Sequence, residues 1–305
     1  LTEQLVDGVL SFEYEGTAFE VFCASWRYSD WMASKGRTFQ FVFHGTDDSA
    51  GKALVQAVYE WSQKLKDEIW VFSHGIWYKD EDLYKAIQAA SWDDIVLEDG
   101  FTEGLKSDTE TFFASEDVYG TLNIAWKRGI LLLGPPGNGK TQTIEALLKD
   151  ALDRDVPCLY VKTFKTERDE EWGIKEIFSK AREEAPCILV LEDLDAMVAS
   201  KLRSYFLNEL DGLAKNHGIL TLATSNHPER IDDAILRRPS RFDQKYTFAL
   251  PTPALREEYS RKWLAKVGKA GGFDFSGSGE EALAHKIAER TEDWSFAFLK
   301  ELFVS

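Results

Sequence analysis

Gly134 to Thr141 reads G-P-P-G-N-G-K-T. It follows the apolar run Ile130, Leu131, Leu132, Leu133 and leads into a helix-compatible stretch, the strand-loop-helix setting of a P-loop. Gly134, Gly137 and Gly139 can take backbone angles closed to other residues, so successive N–H groups turn inward around a β-phosphate at a helix N-terminus. Lys140 then reaches the β- and γ-phosphates, and the Thr141 hydroxyl serves as a ligand for Mg²⁺. Pro135, Pro136, Asn138 and Gln142 complete the set of residues expected around the phosphates. A chance Gly/Pro turn before a helix accounts for one or two of these positions, but not for all of them together with both flanks. The loop implies a bound nucleoside triphosphate with Mg²⁺.

A second cluster bears on hydrolysis. Cys187 to Leu191 (C-I-L-V-L) is continuously apolar, as a strand buried on both faces must be. It ends in Glu192, Asp193, Leu194 and Asp195. Carboxylates at the C-terminal end of a core strand lie at the crevice where α/β sheets bind ligands. One can hold Mg²⁺ while the next polarises an attacking water. The alternative is a solvated acidic turn.

With the segments on either side of them, from about Trp92 to the C-terminus, these two clusters resemble the AAA family of ring-forming ATPases. The resemblance implies a P-loop α/β domain, a parallel sheet flanked by helices, with a helical lid C-terminal to it. The family's Walker B usually ends Asp-Glu, whereas here the order is Glu-Asp. By position Glu192 takes the metal role beside Thr141, and Asp193, one methylene shorter, takes the catalytic-base role. After another apolar strand, the run A-T-S-N-H-P places Asn226 at the family's sensor-1 position, which orients the water. Arg238 and Arg241, in R-R-P-S-R-F-D, match the paired arginine fingers that reach a neighbouring subunit's γ-phosphate. Within AAA the chain is most similar to the BCS-type branch, that of the mitochondrial Rieske-protein translocase and its soluble bacterial relatives. The residues that carry this are L-E-D-L-D-A (Leu191 to Ala196) and the lead-in from Phe112 to Gly137. Ser91 to Leu97 looks like that branch's linker into the ATPase domain, and the resemblance makes Asp94, Ile95 and Val96 candidates for the adenine pocket.

Composition sets further bounds. The formal charge is 36 − 52 = −16, which disfavours nucleic acid and anionic membranes as partners. Cys23, Cys158 and Cys187 are odd in number and lack metal-type spacing, so they read as free thiols in a reducing compartment. No apolar run is long enough to span a bilayer. The expected location is cytoplasmic or another reducing compartment, or mitochondrial if an N-terminal anchor has been removed.

Residues 1–88 form an expected small β-rich α+β domain. Phe12, Tyr14, Phe19, Val21, Cys23 and then Phe39, Phe41, Phe43 alternate at the strand period, while Ala53 to Leu65 shows helical spacing. Ile69 to Phe72 and Ile76 to Tyr78 read as two further strands of this domain. Its Trp26, Trp31, Trp61, Trp70 and Trp77 either fill its core or face a substrate cavity. His44 and His74 each precede a glycine and read as turn histidines.

The ATPase domain is expected over residues 89–250 and the lid over 251–305, with Gly268 to Gly279 as the flexible-looking stretch. Thr163 to Gly173 occupies the place where AAA rings carry a substrate-gripping pore loop. Phe164 or Trp172 would serve as its aromatic, although the intervening acids also fit a solvated loop. In the sensor-2 region, S-F-A-F-L (Ser295 to Leu299), there is no arginine.

The function implied is ATP hydrolysis by a homo-oligomeric ring, hexameric or heptameric, acting on protein clients as chaperone, unfoldase or translocase. The alternative is a slowly hydrolysing scaffold whose assembly depends on nucleotide state. A zinc-protease reading lacks its H-E-x-x-H motif in this sequence.

Overall fold

The structure, a computed structural model, describes residues 8–29, 32–212, 216–236, 238, 240–269 and 279–304. It divides into two compact units, Leu1–Lys66 and Asp67–Ser305.

In the first unit, β1 (Gly8–Tyr14), β2 (Thr17–Ser29) and β3 (Met32–Phe43) form an antiparallel meander that leads into α1 (Ser49–Gln63). The alternation puts Phe12, Phe19 and Phe43 in one cross-strand row, with ring centroids 5.7 Å and 5.1 Å apart. Leu54 is the buried residue of α1.

The second unit begins with β4 (Ile69–Ser73), β5 (Ile76–Asp80) and α2 (Glu81–Ala89), then α3 (Phe101–Ala114) and α4 (Glu116–Thr121). The nucleotide-binding core continues as β6 (Lys127–Leu133), α5 (Lys140–Leu152), β7 (Cys158–Val161), α6 (Glu170–Glu183) and β8 (Cys187–Leu191). Next come α7 (Leu194–Met197), α8 (Arg203–Asp211), β9 (Ile219–Ser225), α9 (Asp233–Leu236) and β10 (Gln244–Thr247). The lid is α10 (Pro253–Lys269), α11 (Glu280–Arg290) and α12 (Phe296–Val304).

The sheet has seven strands in the order β10-β6-β9-β8-β7-β4-β5, parallel throughout except for β5 against β4. Ile130 and Leu132 of β6 pack with Ile144, Leu147 and Leu148 of α5 and with Leu105 and Phe112 of α3. The intervening Leu131 is equally buried, because both faces of a parallel sheet are covered. Among the described residues no helix is long and apolar enough to cross a membrane.

One boundary is corrected. The strands at Ile69 and Ile76 exist, but they extend the ATPase sheet and do not belong to the first unit. β4 pairs in parallel with β7 at Trp70↔Leu159, and the division between units falls after Lys66, not near residue 88. The physical reason is visible in I-W-V-F, four consecutive buried residues that need cover on both faces. Trp70 is accordingly a core residue of the second unit, whereas Trp61 is exposed; Trp31 and the side chain of Trp26 lie outside the described residues. His74 sits in the β4–β5 turn at φ 51° beside Gly75, as a turn histidine would. Most of the Gly268–Gly279 stretch, residues 270–278, lies outside the described residues.

Candidate nucleotide-binding site

The P-loop leaves β6 between its neighbours β9 and β10 and closes on α5, whose N-cap is Gly139 in left-handed backbone. Two of its glycines have no substitute. Gly134 (φ 142°) passes so close to β10's exit that a Cβ would stand 2.0 Å from the Phe248 carbonyl oxygen. Gly137 (φ 78°) lies under the lid, where a Cβ would meet Ala297 at 2.7 Å. The Ala297 N–H donates to the Gly137 carbonyl at 2.9 Å, so the lid helix α12 is tied directly to the loop.

Lys140 is almost wholly buried, and its Nζ donates to the carbonyls of Gly134 and Pro135 at 2.7 and 2.9 Å. Burial pushes its ammonium below the ordinary lysine range, against the pull of Asp193, Asp195 and Glu192. Thr141 and Gln142 line the cleft beyond it. Asn138 is buried with neither its Oδ1 nor its Nδ2 hydrogen-bonded, an orphaned amide inside the phosphate cradle.

The acids at the end of β8 face this loop. Thr141 Oγ1 donates to Glu192 Oε1 at 2.8 Å, and the Tyr160 hydroxyl donates to Glu192 Oε2. Burial holds the Glu192 carboxyl above the usual carboxylate range, partly offset by the Thr141 hydrogen bond. A hydroxyl and a carboxylate side by side form the hard-oxygen set that suits Mg²⁺. Asp193 turns the other way: Asn226 Nδ2 donates to its Oδ1 at 2.7 Å, and its own N–H donates to Thr224 Oγ1 at 2.9 Å. The backbone of Asp193 is left-handed, at φ 52° and ψ 50°. Asp and Asn adopt that conformation more readily than longer side chains, a physical account of the Glu-Asp order. Asp195 fixes the neighbouring strand end by accepting from the Asn226 N–H at 3.2 Å.

Lys140, Thr141, Gln142, Glu192, Asp193 and Asn226 border one cleft of about 350 Å³, whose lining also includes Tyr259, Phe296, Ala297 and Lys300 of the lid. Asp94 and Ile95 are engaged elsewhere. Lys266 pairs with the Asp94 carboxylate, and Lys262 Nζ donates to the carbonyls of Asp93 at 2.9 Å and Ile95 at 3.4 Å. Val96 is buried against Tyr259, Phe296 and Leu299, so it supports the aromatic wall from behind while the lid aromatics line the cleft. Tyr259 and Phe296, whose rings stand 4.8 Å apart, line the cleft, whereas Asp94, Ile95 and Val96 are not among its lining residues. Phe296 falls in the sensor-2 region S-F-A-F-L, while Tyr259 carries no signal in the sequence, because only the folded lid brings α10 to the P-loop.

The two arginines differ. Arg241 is buried and bonded within its own chain, Nε to Asp211 Oδ1 at 3.1 Å and Nη2 to Asp211 Oδ2 at 2.7 Å, with Nη1 donating to the Ala234 carbonyl. Arg238 is exposed, with Asp211 at 3.6 Å as its ion-pair partner. Of the pair expected to reach out as fingers, then, only Arg238 presents its guanidinium to solvent.

The stretch from Thr163 is also resolved. Phe164 is buried against Phe206, ring centroids 5.8 Å apart, and is not a pore aromatic in this structure. Trp172 is partly exposed beside Arg168. The acids have local work to do: Asp169 caps α6 by accepting from the Trp172 N–H at 2.6 Å, and Glu170 and Glu171 occupy the first turn, where the helix dipole favours negative charge.

Residues 130–250 match the family model described as ATPase family associated with various cellular activities (AAA). The chain is 30% identical to the ATPase family gene 2 protein of Saccharomyces cerevisiae over 71% of its own length and 28% of that protein's. It is 31% identical to the ATP-dependent zinc metalloprotease FtsH of Marinobacter nauticus, over 63% of the chain and 31% of the relative. Against the ATP-dependent zinc metalloprotease YME1 homolog of Caenorhabditis elegans it is 31% identical over 53% of the chain and 24% of the relative. The chain therefore spans less than a third of the length of each of these relatives. Residues 130–250 are an AAA ATPase domain.

Proposed function

We propose that the chain hydrolyses ATP with Mg²⁺ as a subunit of a homo-oligomeric ring that remodels or translocates protein clients. The observation that carries this reading is the continuous line Thr141–Glu192 and Asp193–Asn226, which sets a metal-type oxygen pair and an oriented carboxylate on one side of the P-loop. Bound Mg²⁺ would neutralise charge on the phosphates. Lys140 leaves its loop carbonyls for phosphate oxygens, Asn226 holds Asp193 in line to accept the proton of the attacking water, and the lid excludes bulk water.

Arg238, being exposed, is the guanidinium suited to a neighbour's γ-phosphate, with Arg241 and Asp211 supporting it from inside its own chain. Relatives named as proteases act on proteins, which supports a protein client; the H-E-x-x-H motif of a zinc protease is not in this sequence. The BCS-type branch rests on the residues Leu191 to Ala196 and the lead-in to the P-loop. The free thiols of Cys158 and Cys187 support a reducing compartment.

A second reading, a slowly hydrolysing scaffold, is favoured by the short reach of Asp193. Phosphate release by the assembled protein, with Lys140→Ala as control and electron microscopy to register rings, separates the two. Rings that bind ATP without sustained turnover would replace the motor reading by the scaffold, and loss of neither binding nor turnover in Lys140→Ala would remove the site assignment.

A further inference from the structure

Glu192 is held at both oxygens. Oε1 accepts from Thr141, at 2.8 Å, and Oε2 accepts from the hydroxyl of Tyr160 on the adjacent strand. The reach comes from the register: Tyr160 lies opposite Val190 in the parallel β7–β8 pair, and residue 192 is on the same side of its chain as residue 190. A tyrosine ring spans that one step along the strand, which a shorter hydroxyl side chain at this position would not.

The contact matters because of what lies beyond the carboxylate. Tyr160, Lys162, Thr163 and Lys165 line a second cavity of about 580 Å³ that also borders Glu192 and Asp193. Glutamate has one more rotatable bond than the aspartate usual at this place, so an untethered Glu192 has both the freedom and the room to swing away from Thr141. The Tyr160 hydroxyl occupies the oxygen on that side.

We propose that Tyr160 is a positioning residue of the metal site: its hydroxyl fixes the Glu192 carboxylate so that Oε1 stays beside Thr141, and the longer acid works there because of this tether. The inference rests on the reading of Thr141 and Glu192 as the Mg²⁺ side of a nucleotide site. Partners that orient a ligand in this way change metal affinity by about 10- to 100-fold when removed.

The test is the Mg²⁺ concentration that half-saturates binding of a non-hydrolysable ATP analogue to the full chain, measured beside the affinity for the same analogue in EDTA. Tyr160→Phe is expected to raise the half-saturating Mg²⁺ by roughly tenfold while leaving affinity in EDTA unchanged. In a Glu192→Gln background the same substitution is expected to add no further shift, since the group it orients is already altered. An unchanged Mg²⁺ requirement in Tyr160→Phe, or an equal loss of affinity with and without metal, overturns the proposal. Thr141→Ala separates this from failure of the site itself. If Thr141→Ala raises the Mg²⁺ requirement and Tyr160→Phe does not, only the tether is wrong. If neither Thr141→Ala nor Glu192→Gln changes it, the metal site is not here and the proposal falls with it.

Discussion

The guanidinium of Arg241 closes on the carboxylate of Asp211, thirty positions earlier in the same chain, through two hydrogen bonds of 3.1 and 2.7 Å. Arg238 shares that carboxylate from outside at 3.6 Å. Asp211 is thus a common anchor that buries one arginine and steadies the other, and the two arginines have different things to lose on substitution.

Arg238→Ala is expected to keep ATP binding and thermal stability while lowering turnover by roughly 10³-fold or more, the scale of arginine-finger contributions. Arg241→Ala is expected to cost stability as well, on the order of 2 kcal/mol, because it removes charged hydrogen bonds from a largely buried site. Turnover and melting curves of the two variants separate the roles. Mixing Arg238→Ala with Lys140→Ala subunits should recover some activity if the arginine acts across subunits; absence of recovery in co-assembled rings counts against it.

Asp211 sets a pH dependence. Partial burial alone would raise its carboxyl, but the hydrogen bonds and charge of Arg241, then the charges of Lys127 and Arg238, hold it below the usual range. A depressed carboxylate contributes stability that is present above its unfolded pKa, about 3.9, and is lost as pH falls through the folded value. Arg241→Gln, which leaves Asp211 without its main cation, should therefore move the acid-unfolding midpoint to higher pH. An unmoved midpoint would show that the pair contributes nothing to acid stability.

Restoring the commoner acid at position 193 should impair the protein. Its left-handed backbone suits Asp, and the Asp193 carboxylate is already in contact with Asn226 at 2.7 Å. Asp193→Glu pushes the carboxylate past that contact and is expected to lower kcat by on the order of 10²-fold with nucleotide binding retained. Faster turnover in this variant would sink the account of the Glu-Asp order.

The thiols of Cys158 and Cys187 should be inert in the native protein. Burial, with a smaller contribution from Glu184, pushes the Cys187 thiol up to about 12, and burial raises Cys158 as well. At pH 8 a thiol reagent is expected to leave both unmodified until denaturant is added, and then to label all of Cys23, Cys158 and Cys187. Rapid native labelling of Cys187, read by peptide mass, would contradict its placement in β8.

What the sequence determined by itself was local. The P-loop, the apolar strand into Glu192 and Asp193, and Asn226 after the next strand are legible because each lies within a few residues of the element that positions it, and strand ends in a parallel sheet gather at one edge. The helical lid is implied by the family resemblance, not by a local motif. The tertiary structure alone decided the relations between distant segments. Ile69 to Phe72 reads as a buried strand, but only pairing with β7 assigns it to the ATPase sheet. Only the fold brings Asp211 beside Arg241, and only the fold lets Tyr160 reach Glu192 from β7. Tyr259 and Phe296 become cleft residues, and Asp94 pairs with Lys266, because of how the lid packs on the linker. Hydrogen bonds and packing of this kind depend on distance in space, which residue type and spacing do not encode.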